Sequence, residues 1–270
     1  MVEKIESYTQ KNGNEILKVH IKVSADTPEG LKYFYTDAPN LDLVKKYSWR
    51  VNKGYWVNPV VTRIKNHTPN VRTLYFHREY AYKVLGYYPD YIDHINGLEI
   101  DNIDENLNVV TNQQNAFNKA TRGYKYDPRK VNSFTIRLLS NGKEKSGGVY
   151  SNEFECLKDI TKKRADFGIT YDYNFLKDRR GELDLLDLER TGVVSKEEAT
   201  YRHVRRFVDT NPWYAYRYNL QEYCKDNHIV IPDFRLDGQG FMIHPITGKR
   251  FSPYEKRCFY DSKCSGTNAY

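Results

Sequence analysis

The sequence predicts an α+β protein, and three observations predict it. Period-two alternation marks paired strands at 14–36, and further strand-like runs follow before residue 76. A strand–loop–strand–helix order follows over 91–120, and from 121 three β-forming runs lead into an amphipathic helix. At 270 residues the chain can hold two compact domains or one with appendages, at roughly 100–200 residues per domain. Three parts are expected: 1–120, 121–168, and a mixed, largely helical 169–270.

Leu17, Val19 and Ile21 alternate in "NEILKVHIKV", the signature of paired strands. "LDLVKKYSWRV" (41–51) reads as a short helix running into a strand, with Leu43, Val44, Tyr47 and Trp49 as core. "KGYWVNPVVTRI" and "VRTLYF" form a further strand pair. "HREYAYKVLG" places Tyr80, Val84 and Leu85 at helical spacing and ends on Gly86, a natural left-handed cap. "YIDHI" and "ENLNVV" are short strands, and "TNQQNAFNKA" opens a helix that Thr111 caps, with Gln114 at the capping-box position. "GYKYD", "SFTIRLLSNGKEK" and "GGVY" supply three strands, and 151–168 a helix with Phe154, Leu157, Ile160 and Ala165 on one side. Ser195 and Glu198 box the start of another helix, with Tyr201, Val204 and Val208 on one face and Arg202, Arg205, Arg206 and a solvent-facing His203 elsewhere. Pro212 opens the next helix, with Trp213, Tyr216, Leu220 and Tyr223 in register, and "FRLDGQGFMIHPITGKRF" reads as a hairpin.

Composition narrows the function classes. No apolar run approaches the length of about 18 that a membrane span needs, and the N-terminus lacks the apolar stretch of a secretory signal. A cytoplasmic protein with no membrane partner is expected. The net charge is +7. Between Lys119 and Arg180, 15 Lys and Arg stand against 8 Asp and Glu, while the rest of the chain balances at 27 against 27. All the excess sits in one stretch, as expected of a surface that faces phosphates.

The chemistry concentrates just before that stretch, in "DHINGLEIDNIDENLNVVTNQQNAFN" (93–118). Asp93 and His94 end a strand, so a bent strand end must let both reach one site. Asn106 begins the facing strand and Asn115 lies in the first turn of the helix. One carboxylate and one amide oxygen suit a hard cation, Mg²⁺ or Mn²⁺. A neutral histidine beside it can act as general base towards water.

These residues resemble the HNH nucleases, specifically the phage and intron-borne homing endonucleases with a ββα-metal active site. D-H-I-N-G, E-N-L, the valine–threonine strand end and the following helix Asn stand at the family's usual spacing. "LYFHREYAYKVLG" resembles the family's lead-in, and "APNLDLVKKYSWRVNKGYWV" the segment before it. The resemblance implies His94 as general base, Asp93 and Asn115 as ligands of one divalent metal, and Asn106 as the brace of the loop that aims His94. Residues 122–168 more loosely resemble the DNA-binding domain of plant ethylene-response factors, three strands and a helix.

The reading is therefore a site-specific, metal-dependent DNA endonuclease of a phage or mobile element, acting in its host's cytoplasm on double-stranded DNA as a monomer or DNA-induced dimer. A catalytically silent HNH-fold DNA-binding regulator is the alternative. Arg78, Lys119, Arg122, Lys125, Arg137, Lys143 and Lys145 are the expected DNA contacts, with Arg137 reading bases and the lysines holding phosphates. His77 reads as a helix cap or core residue. Cys224, His228, Cys258 and Cys264 lack the C-x2-C spacing of a zinc knuckle, and the cysteines read as unligated thiols. Deletion after about residue 120 is expected to leave a small nuclease core.

Overall fold

The computed structural model describes residues 2–23, 25, 32–51, 61–63, 74–96, 98–112, 123–130, 133–140, 143–166, 183–210, 212, 215–216, 220–244 and 248–250. The chain forms two compact units, and neither is a continuous stretch. The first joins Met1–Asn118 to Leu176–Thr200 and Arg257–Thr267; the second joins Lys119–Phe175 to Tyr201–Lys256 and Asn268–Tyr270. The described elements are mixed α and β.

In the first unit β1 (Val2–Thr9), β2 (Glu15–Ile21) and β3 (Tyr33–Asp37) form an antiparallel meander. The two-residue β8 (Asp101–Asn102) adds to it in parallel, pairing Tyr35 with Asp101 and Thr36 with Asn102. That short ladder ties the loop after His94 to the main sheet. Ile16, Val19, Phe34 and Tyr35 are fully buried, as are Val44 of α1 (Leu41–Lys46) and Trp49 of β4 (Trp49–Val51). Trp49 Nε1 donates to the Val44 carbonyl at 3.1 Å, so the largest core side chain leaves no polar atom unpaired.

β4 pairs with β5 (Val61–Arg63), which pairs with β6 (Leu74–Tyr75). β6 runs straight into α2 (Phe76–Leu85), whose first residue Phe76 sits 4.8 Å from the Phe34 ring and 5.0 Å from the Trp49 ring. α2 ends on Gly86 in the left-handed conformation, with its N–H returned to the Tyr82 carbonyl at 2.9 Å. Antiparallel β7 (Ile92–His94) and β9 (Leu107–Val109) follow. Asn106 does not begin β9: it ends the short 3-10 turn Asp104–Asn106 before it.

In the second unit β10 (Tyr124–Tyr126), β11 (Phe134–Ser140) and β12 (Lys143–Tyr150) form an antiparallel sheet, with α3 (Glu153–Asp166) packed on β11 and β12. Glu153, at the head of α3 and 1% exposed, accepts from the Tyr124 hydroxyl and from the Met242 N–H. It thereby links the sheet to the hairpin of β13 (Arg235–Leu236) and β14 (Met242–Ile243).

Two helices were not foreseen in this form. α4 (Leu183–Arg190), in "LDLLDLER", belongs to the first unit. α5 (Lys196–Thr210) buries Ala199, Thr200, His203, Val204 and Val208, so its apolar stripe is rotated from the expected Tyr201–Val204–Val208 face. His203 is therefore only 3% exposed and does not face solvent, contrary to the sequence reading. After α5 the chain is helical at 215–216, and a separate α6 spans Gln221–Asp226. Val208, Ala215, Leu220 and Cys224 share one cluster. Trp213 lies outside the described residues. Among the described residues no helix is long and apolar enough to cross a membrane.

Candidate active site

The site is built on the hairpin of β7 and β9. The chain turns directly after His94, and the turn is held by amide side chains more than by backbone. The Asn106 Oδ1 accepts the Asn96 N–H at 2.9 Å, and its Nδ2 donates to the Asn96 Oδ1 at 3.0 Å and to the Asp101 carbonyl at 2.7 Å. The Asn96 Oδ1 also accepts the Leu98 N–H at 2.9 Å, and the Ile95 N–H donates to the Asn106 carbonyl at 2.8 Å. Leu98, Ile100 and Ile103, each 1% exposed, anchor the rest of the loop in the core.

His94 is 7% exposed, and its Nε2 lies 3.1 Å from the Asn102 Oδ1. An amide oxygen only accepts, so this contact assigns the proton to Nε2 and the basic lone pair to Nδ1. The Asn102 Nδ2 is itself fixed on the Glu99 carbonyl at 3.0 Å. Burial lowers the pKa of His94, against opposing pulls from the Asn102 hydrogen bond and the Asp101 charge. Near neutral pH the imidazole is therefore neutral, the state a general base requires.

His77 stands edge-on to His94 with ring centroids 5.2 Å apart. The residue is partly exposed, but its Nδ1 is shielded from solvent and makes no hydrogen bond. Burial, then the neighbouring His94 and Arg78, pushes its pKa well below the ordinary value. Arg78 turns back on the loop between α2 and β7, donating to the Pro89 carbonyl at 2.9 Å and the Asp90 carbonyl at 3.4 Å.

Asp93 sits on β7 opposite Asn108. Its carboxylate is a hard donor of the kind Mg²⁺ and Mn²⁺ take, and such cations keep waters and substrate oxygens in most positions. The donor chemistry fits one divalent ion with few protein ligands. Among the described residues no cluster of three His, Cys, Asp or Glu side chains could hold a metal, and Cys156 and Cys224 are buried free thiols. Asn115, Lys119 and Arg122 lie outside the described residues, as do Cys258 and Cys264; of Lys143 and Lys145 the backbone alone is described, in β12.

In the second unit a cleft of about 280 Å³ is lined by Lys125, Asp127, Lys130, Ser133, Thr135, Ile136 and Arg137. Lys125, Lys130 and Arg137 are exposed. The neighbouring Arg129 is occupied by Asp127 at 3.0 and 3.2 Å.

Sequence reasoning missed three residues of the network behind His94: Asn102, which touches it, Asp101, and Arg190, which holds Asp101. "DNIDEN" offered the first two as loop residues; nothing local marked the third.

No known family profile and no solved structure matches this chain. It is similar to a protein of Acanthamoeba polyphaga mimivirus named uncharacterized HNH endonuclease, at 32% identity over 105 residues, 37% of this chain and 51% of the relative. The chain thus spans about half the length of that relative. The likeness supports a nuclease at the level of the family.

Proposed function

We propose that the chain is a metal-dependent DNA endonuclease of the HNH homing type, cutting a phosphodiester with His94 as general base. The observation that carries the reading is the His94 environment. A neutral imidazole with its basic nitrogen defined sits at the end of the strand that bears Asp93, above a turn locked by Asn106. The spelling of residues 93–118 and the likeness to the mimivirus protein support it.

In this reading His94 takes the proton of the attacking water on Nδ1, while Asn102 holds the opposite nitrogen. Asp93 and Asn115 would hold one Mg²⁺ or Mn²⁺. When bound, the ion would neutralise charge on the phosphate and the leaving 3′-oxygen. Lys125, Lys130 and Arg137, with Lys119, Arg122, Lys143 and Lys145, supply the basic surface that holds duplex DNA. The resemblance of 122–168 to plant DNA-binding domains points the same way. A single centre cuts one strand, so a monomer nicks and a DNA-induced dimer makes a double-strand break.

Purified protein incubated with supercoiled plasmid carrying the candidate target tests the proposal. Nicked or linear product that needs Mg²⁺ or Mn²⁺ and vanishes in His94→Ala supports it. Binding without cleavage at any metal concentration would leave a silent DNA-binding regulator.

A further inference from the structure

The turn that aims His94 is closed by a side chain from a distant part of the sequence. Asp101, fully buried, receives the Arg190 Nε and Nη2 at 3.0 and 3.0 Å. This is a fork on a carboxylate, the geometry in which Arg fixes direction as well as charge. The Asp101 Oδ2 also accepts the Asn96 Nδ2 at 2.7 Å, and the Asp101 carbonyl accepts Asn106. Asn102, the next residue, holds His94. From Arg190 to the imidazole there is one unbroken path: guanidinium, Asp101, its chain neighbour Asn102, ring.

Arg190 is held no less firmly from its own side. Its Nη1 donates to Glu105 at 3.1 Å and Glu189 at 2.8 Å. Burial alone would lower its pKa, but Asp101, Glu189 and Glu105 together raise it. It is charged at every working pH. Its helix α4 is moored on the sheet by Asp187, which accepts the Tyr35 hydroxyl at 2.6 Å and the Tyr33 hydroxyl at 3.0 Å. Just after α4, Gly192 has φ +74° and lies where an added Cβ would come within 2.3 Å of the Thr9 carbonyl oxygen. Only glycine lets the chain pass there.

We infer that Arg190 is a positioning residue of the nuclease site: it fixes Asp101, and through Asp101 both the Asn96–Asn106 turn and the Asn102 hydrogen bond that set the His94 ring. The inference rests on the nuclease reading. It adds that residues 1–120 hold the reacting groups and the amides that touch them, but not the arginine that fixes Asp101 beneath those amides. A general structural salt bridge would be needed for folding alone; a positioning arginine is needed for turnover in protein that is already folded.

Full-length Arg190→Lys, Arg190→Ala and the mooring variant Asp187→Asn are compared on plasmid cleavage, duplex affinity and thermal unfolding, at a temperature where each is folded. Arg190→Lys keeps the charge and loses the fork; it should lower kcat by roughly 10²-fold, the scale of a misplaced catalytic group, with KM and duplex affinity within about twofold. Arg190→Ala should be weaker still and regain activity with added guanidinium ion, at concentrations that leave wild type unaffected. Asp187→Asn should lower the melting temperature while lowering kcat far less than Arg190→Lys does. Should Arg190→Ala fail to fold, Arg190→Lys carries the comparison. Wild-type kcat in folded Arg190→Lys, or equal loss of kcat in Asp187→Asn, overturns the positioning role. Failure of the wild type to cut under any metal condition removes the nuclease reading, and the inference falls with it.

Discussion

Asn106→Ala removes the side chain on which the turn after His94 closes. Asn106 is 4% exposed and takes part in three side-chain hydrogen bonds: to the Asp101 carbonyl at 2.7 Å, the Asn96 Oδ1 at 3.0 Å and from the Asn96 N–H at 2.9 Å. Alanine leaves the Asp101 carbonyl and the Asn96 N–H without these partners. A buried group left unpaired costs about 1–3 kcal/mol. Asp101 is fully buried and falls in the upper half of that range. Asn96 is half-buried, so water recovers part of its loss. The sum is about 3 kcal/mol, a fall in melting temperature of about 6–12 °C for a unit of this size. Thermal unfolding by circular dichroism reads it directly, with the exposed Val109→Thr on the adjoining strand as control. Activity should fall further than stability, because Asn96 follows His94 by two residues. A melting temperature equal to that of the control would refute the view that this amide network, and not the strand pairing, holds the turn.

A fragment ending at residue 120 should not fold cooperatively, because it strands the buried Asp101 carboxylate, a loss of about 3–5 kcal/mol; a cooperative denaturant transition in that fragment would contradict this. His203 takes a proton below about pH 6.5 when unfolded but only near about 3 in the fold, where burial and then Arg206 oppose its charge. The unfolded chain therefore binds more protons in that window, and stability should fall by about 1.4 kcal/mol per pH unit of acidification; the slope in urea titrations should flatten in His203→Gln. Lys125→Ala and Lys130→Ala should weaken every duplex alike and reduce the salt slope by about 0.9 per lost phosphate contact, whereas Arg137→Ala should relax preference at one or two base pairs by about 1–3 kcal/mol.

The hairpin around His94 was legible because its determinants are contiguous. The end of β7, the turn and Asn106 all lie within fourteen residues, 93–106, and local spelling carries local geometry. Gly86 was legible for the same reason, since a left-handed cap depends on one residue. Arg190 was not. Its partner Asp101 stands 89 positions away, and "LDLLDLER" gives no sign of which carboxylate its arginine will meet. β8 escaped because two parallel pairs leave no periodicity to read. His203 was misplaced because a helix stripe drawn through Tyr201, Val204 and Val208 can turn by one residue and still look apolar; packing, not pattern, brought His203 inward. The expectation that 1–120 stands alone failed to anticipate Arg190 for the same reason.

The most direct test of the account is single-turnover cleavage of plasmid DNA by wild type and His94→Ala, each with Mg²⁺, with Mn²⁺ and after chelation. Duplex affinity is measured in parallel. Metal-dependent cutting by wild type, no cutting by His94→Ala and equal affinity in both are expected, since the imidazole acts in the chemical step. Cleavage by His94→Ala at the wild-type rate, or cutting by wild type that persists without a divalent ion, would contradict it.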